Sequence, residues 1–189
     1  MNAPAPPIWK LSRVRYDRMI ESGILSEDDK VELLDGVLVV RKPQGSRHPT
    51  AVMLVRAALE KAFTRRFHVR EEKPVALDRM SEPEPDVVVV RGRIRDDGHA
   101  HPSKPVLIVE VAESSLRLDR LRKGALYARA GIADYWVLNL PEDVLEVYRQ
   151  PVREGGVWKY GTMRALARSG VVTPLASPRA RIRVGSMLP

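Results

Sequence analysis

The chain has 189 residues, 44% of them hydrophobic and 30% charged, which suits one soluble domain with a sizeable core. Its 32 Lys and Arg against 24 Asp and Glu give a formal net charge of +8, a balance that points to a polyanionic partner. The absence of cysteine excludes disulfides, thiolate metal sites and cysteine nucleophiles, and no run approaches the roughly 18 apolar residues of a membrane span.

Residues 1–9 (MNAPAPPIW) are proline-rich and read as an unstructured arm ahead of a domain spanning 10–189. The start also lacks the basic-then-apolar layout of a signal peptide, so the expected location is cytoplasmic. Ser12 is placed to cap a helix that runs through Tyr16 and Ile20 and stops at Gly23. Asp35-Gly36 between the apolar runs 31–34 and 37–41 predicts a β-hairpin, because the tight turn needs positive φ. This puts Glu32 on a strand. Residues 42–49 read as a loop, and 50–66 as an amphipathic helix with Val52, Val55, Leu59 and Ala62 on its apolar side.

Short strands are expected at 67–70 and 75–77. The four valines 87–90 predict a strand buried on both faces, hence a central one. A polar loop over 91–104 leads to a second apolar strand, 106–111. A helix over 116–130 follows, with Leu118, Leu121, Ala125, Tyr127 and Ala128 on its apolar side and Gly131 as its stop. Strands at 134–139 and 144–149 flank a turn at 141–143, and short edge strands are expected at 157–160, 171–172 and 182–184. Trp136 reads as a packing residue. Strand, helix and strand over 106–139 make a crossover unit with a parallel pair, so the expected fold is α/β with mixed α+β character: a central mixed sheet flanked by helices, with an N-terminal helix and hairpin.

Two acids stand out. Glu110 follows four apolar residues on one central strand, and Asp86 opens the all-valine strand. A buried, unpaired carboxylate is costly. Acids at strand ends also cap loops or pair with arginine, but two on neighbouring central strands would share a Mg²⁺ ion, with Mn²⁺ as a substitute. Such an ion eases deprotonation of a bound water and stabilises charge on a phosphoryl oxygen. Asp119 and Lys123 lie four apart on the next helix. They make either a surface ion pair or a lysine leaning back over the strand end.

The order Pro85-Asp86, Glu110 in VLIVEVAESS, and Asp119 and Lys123 in LRLDRLRKGALYARAGIADYWVLN resembles the Uma-type restriction endonuclease family of the PD-(D/E)XK nuclease superfamily. VELLDG at 31–36, His48 and DVLEVYR at 143–149 are further points of likeness, over about residues 10–150. The resemblance implies a restriction-endonuclease-like fold and a Mg²⁺-dependent endonuclease acting on DNA, with Asp86 and Glu110 as metal-binding acids. The superfamily's lysine usually stands two residues after the second acid, where this chain has Ala112; Lys123 resembles a lysine migrated to the helix. Glu32 matches an early glutamate of the family and would complete the metal shell. His48 would touch phosphate or carry a proton, with Gln44 a weaker candidate. The arginine-rich tail, with Arg164, Arg168, Arg179, Arg181 and Arg183 and no acid after Glu154, supports a second reading, a non-catalytic nucleic-acid-binding module; plain ion pairing in a structural protein is a third. Cutting both strands of a duplex would favour a homodimer.

Overall fold

The computed structural model describes residues 8–41, 43–98 and 100–189. Helix α1 (Arg13–Glu21) leads into a hairpin of β1 (Val31–Leu34) and β2 (Val37–Val40), and α2 (Arg47–Ala62) follows. Strands β3 (Phe67–Glu71), β4 (Val87–Arg91) and β5 (Leu107–Ala112) come next. A π-helical stretch, Leu118–Lys123, runs directly into α3 (Gly124–Arg129). Strands β6 (Asp134–Asn139), β7 (Val144–Glu154), β8 (Val157–Ala167), β9 (Val171–Val172) and β10 (Ile182–Arg183) complete the order.

β3 to β8 form one mixed sheet in chain order. Only β5 and β6 pair in parallel, across the predicted crossover, and the neighbouring pairs are antiparallel. β4, β5 and β6 are sealed on both faces. Val87, Val89, Val109, Trp136 and Leu138 pack with α2 and the C-terminal segment. Val88, Val90, Ile108, Tyr135 and Val137 pack with Tyr127 of α3 on the other side. This is why the central strands carry unbroken apolar runs rather than alternation. The hairpin turn is as expected: Asp35 and Gly36 have φ of 53° and 76°. A side chain at Gly36 would also meet Lys10 Cβ at 2.7 Å, so glycine is required there twice over.

Several expectations need correction. Residues 75–77 are not a strand; they bond to loop carbonyls of Pro83 and Pro102 instead. β7 and β8 are eleven residues each, because Gly155-Gly156 (φ 56° and 82°) makes a tight turn that carries the pairing well past Pro151. Pro151 is tolerated because it lies beyond Arg149, the last β7 residue paired with β6. Val184 belongs to a short 3₁₀ turn rather than to β10. Ser12 sits at the N-cap of α1 without a side-chain capping bond. α2 begins at Arg47, so His48 stands in its first turn and not in a loop. The loop after β4 holds a 3₁₀ turn, Ile94–Gly98. Of the expected N-terminal arm, residues 1–7 lie outside the described residues, while Ile8 and Trp9 are exposed. Among the described residues, no helix is long and apolar enough to cross a membrane.

The C-terminal segment is fastened to the sheet by one buried acid. Asp134 Oδ1 accepts from Trp136 Nε1 and Arg149 Nε, both at 2.8 Å, and Oδ2 accepts from the Leu175 amide at 2.8 Å. Removing the carboxylate would leave the Trp136 indole and the Leu175 amide without an acceptor, and would leave the Arg149 guanidinium with the Thr173 carbonyl but no counter-charge at that position. Asp134→Ala is expected to lower stability by about 3 kcal/mol, and Asp134→Asn by less, as read by urea denaturation.

Candidate active site

Glu110 stands on β5 with its side chain on the α3 side of the sheet, in line with Ile108 and Ala112. β4 pairs with β5 through Val87↔Val109, and continuing that register sets Asp86 across from Glu110. Asp86 replaces a ladder bond at the strand mouth: its Oδ2 accepts from the Val111 amide at 2.6 Å. The two acids predicted from separate stretches are thus neighbours, and they are only 5% (Asp86) and 2% (Glu110) exposed.

Lys123 reaches them from the helix. Its Nζ donates to Glu110 Oε1 at 3.1 Å and lies 3.1 Å from Glu32 Oε1. The surface-pair alternative for Lys123 is therefore excluded: the ammonium is buried, and Asp119 pairs with Ser115 Oγ at 2.6 Å instead. Glu32 has both oxygens engaged, because Oε2 accepts from the Glu84 amide at 3.1 Å. Tyr127 OH donates to Glu110 Oε1 at 2.6 Å.

The π-helical stretch explains this convergence. In a regular α-helix each step of four residues overshoots a full turn by about 40°. Asp119, Lys123 and Tyr127 would then drift around the helix. Here the Gly124 amide donates back to the Asp119 carbonyl, five residues earlier, and Tyr135 OH donates to the same carbonyl at 3.0 Å. The wider turn keeps all three side chains turned inward. A Cβ at position 124 would meet that carbonyl at 3.3 Å, which suits glycine. The expected apolar face is corrected accordingly: Leu121 is 63% exposed, while the polar Asp119 and Lys123 are buried.

His48 is buried in the first turn of α2. Its Nε2 lies 3.3 Å from Asp86 Oδ2 without hydrogen-bond alignment and has no other partner among the described residues. Gln44 is exposed at the rim. All of these groups except Tyr127 line one cavity of about 510 Å³. Arg41, Arg117 and Arg122 stand around it. None of the tail arginines that suggested a polyanion-binding face lines the cavity.

Electrostatics follow from burial. Desolvation lifts the Glu110 carboxyl well above its ordinary 4.5, with the Lys123 ammonium offsetting only part and Asp86 adding to the rise. Desolvation likewise pushes Asp119 up to about 6, against Lys123 and the Ser115 hydroxyl. Burial alone would lower Lys123, but Glu110 and Glu32, with Asp119 and Asp86 behind them, hold it above its ordinary value. Burial, then Glu110, raises Tyr127 well above 10.0, so its hydroxyl keeps the proton it donates.

The donor set bears on a metal. Hydrogen bonds reach Asp86 through Oδ2 and Glu110 through Oε1, so Asp86 Oδ1 and Glu110 Oε2 lie outside those bonds. No three His, Asp or Glu groups among the described residues are arranged to hold an ion by themselves. Two carboxylates with an outnumbered ammonium fit a hard divalent ion that keeps several waters.

No curated protein matches this chain. Among solved structures, the fold is similar to a crystal structure from Anabaena variabilis described as a "putative nuclease belonging to DUF820". The TM-score is 0.68 at 14% identity, over 88% of this chain and 94% of that one. At that identity the likeness speaks to the fold. The model of the Uma2 family, described as "Putative restriction endonuclease", matches residues 14–181, and the chain belongs to that family.

Proposed function

We propose that this chain is a metal-dependent endonuclease that hydrolyses phosphodiester bonds of DNA, with Mg²⁺ as the cation and Mn²⁺ as a substitute. One observation carries the reading: Glu32, Asp86, Glu110 and Asp119 are buried around the single ammonium of Lys123 at one cavity. Four carboxylates against one ammonium is an unfavourable charge balance in a low-dielectric site. The Arg41 guanidinium near Asp86 and Glu32 is itself paired with Glu84, so a bound cation or protons would offset the excess, in line with the rise of Glu110 and Asp119 on burial. Membership of the Uma2 family supports the nuclease chemistry.

In this reading Asp86 and Glu110 hold the cation, which supplies a readily deprotonated water and a counter-charge for the phosphoryl oxygens. Lys123 keeps its proton, so it is not a general base. It fixes Glu110 and places positive charge beside the phosphate. Glu32, with both oxygens engaged, positions Lys123 rather than completing the metal shell. Tyr127 holds the Glu110 side chain in place. His48 lies against Asp86 and orients that carboxylate. Arg117 and Arg122, at the cavity, receive the phosphates on either side, while Arg41 beside them is paired with Glu84 and Glu72.

Cleavage of labelled DNA in Mg²⁺ or Mn²⁺ tests the reading. Asp86→Asn and Glu110→Gln are each expected to abolish cleavage. They should also abolish a metal-induced rise in melting temperature, which for the native chain is about 5–10 °C at 100 times the dissociation constant. DNA left intact under both metals, or binding and melting indifferent to the two substitutions, would overturn it.

Asp119 yields a second expectation. A carboxyl raised from 3.8 to about 6 holds in the folded state a proton that the unfolded chain releases, so its contribution to stability falls as pH rises through that window. Asp119→Asn keeps a partner for Ser115 and carries no charge. It should stabilise the metal-free protein by about 1–2 kcal/mol at pH 7.5 and flatten the decline between pH 4 and 6. Denaturation midpoints across that range provide the check.

A further inference from the structure

We propose that the substrate entering this cavity is single-stranded DNA, held as an unstacked nucleotide against Val40 and Leu121. The inference rests on the nuclease reading above and names its substrate class.

The acids lie at the bottom of a concave site, and Asp86 and Glu110 expose almost none of their surface. Its volume of about 510 Å³ falls in the range in which proteins enclose single small molecules, about 300–1,000 Å³. That is room for a nucleotide unit. The walls agree. Val40 from the hairpin and Leu121 from the π-helical stretch line the cavity, yet they are 68% and 63% exposed. Neither packs into the core, so each leaves a bare aliphatic face on the cavity wall.

A B-form duplex offers a protein mainly phosphates, sugars and groove edges, against which bare aliphatic walls gain little. An unpaired nucleotide offers the apolar face of its base, which every base possesses. The charges fit the same occupant. Arg117 and Arg122 line the cavity without a carboxylate partner among the described residues, and Arg122 donates only to the Leu34 carbonyl at 2.9 Å. They supply cations for the phosphates flanking a base lodged between hairpin and helix. Seating a base against these walls from duplex DNA would require that base to leave its partner first, an unpairing cost that single-stranded DNA does not carry.

The test is binding, read separately from cleavage. A fluorescent oligothymidylate of about 12 nucleotides, alone and annealed to its complement, is titrated with the full chain in Ca²⁺ by fluorescence anisotropy. The single strand is expected to bind at least about tenfold tighter than the duplex. Leu121→Ala and Val40→Ala, both at exposed positions, should each weaken single-strand binding by about three- to fivefold and leave duplex binding unchanged. Equal or tighter duplex binding, or single-strand affinity indifferent to Leu121→Ala, would overturn the proposal. A chain that cuts DNA yet prefers duplex would lose this inference and keep the nuclease reading. One that prefers single strands through Leu121 but never cuts would do the reverse.

Discussion

The constraint on which this molecule turns is the burial of more negative than positive charge at one point. Glu32, Asp86, Glu110 and Asp119 face a single ammonium, and desolvation outweighs that ammonium at Glu110 and Asp119. Such a cluster persists only if the surrounding structure holds it, because each of its members would be better solvated in water. Sites of this kind are where chains give up stability for chemistry.

The scaffold supplies that hold from three directions. The sheet presents Asp86 and Glu110 on adjacent strands whose flanking residues are sealed on both faces. The hairpin delivers Glu32, whose second oxygen is tied to the Glu84 amide. The π-helical stretch brings in Lys123 and Tyr127, and its widened turn is stabilised by the Tyr135 hydroxyl from the next strand. A second clasp secures the same stretch: Arg120 donates through two nitrogens to Glu146, a buried acid that also accepts from Asn139 and Tyr148. The helix is thus anchored to strands β6 and β7 just ahead of Lys123.

Much of the fold was legible along the chain. The Asp-Gly turn, the all-valine strand and the crossover over 106–139 each rest on local rules: positive φ, two-sided burial and loop length. The acids were legible because each stands at the end of an unbroken apolar run, although loop capping or an arginine pair would have explained them equally well along the chain. The errors arose where local rules ran out. Leu121 obeyed helical periodicity and still faces solvent, because the π-helical turn, whose Asp119 carbonyl also accepts from the Tyr135 hydroxyl, shifts the helical phase. Tyr127 read as apolar filler, yet its hydroxyl makes one of the shortest bonds at the site. The tail arginines drew notice by number, whereas those at the cavity, Arg41, Arg117 and Arg122, are scattered through the chain.

What the chain determines by itself, then, is its elements, their central order, and the unusual acids Asp86 and Glu110, all of which follow from residue type and spacing within a few positions. Only the tertiary structure decided that Glu32 and Glu110 share one lysine, that His48 lies against Asp86, and that two aliphatic side chains stand bare beside an acidic floor. Those are contacts between residues far apart in sequence. They depend on strand register and helical phase together, and a shift of one residue in either turns the side chain to a different face.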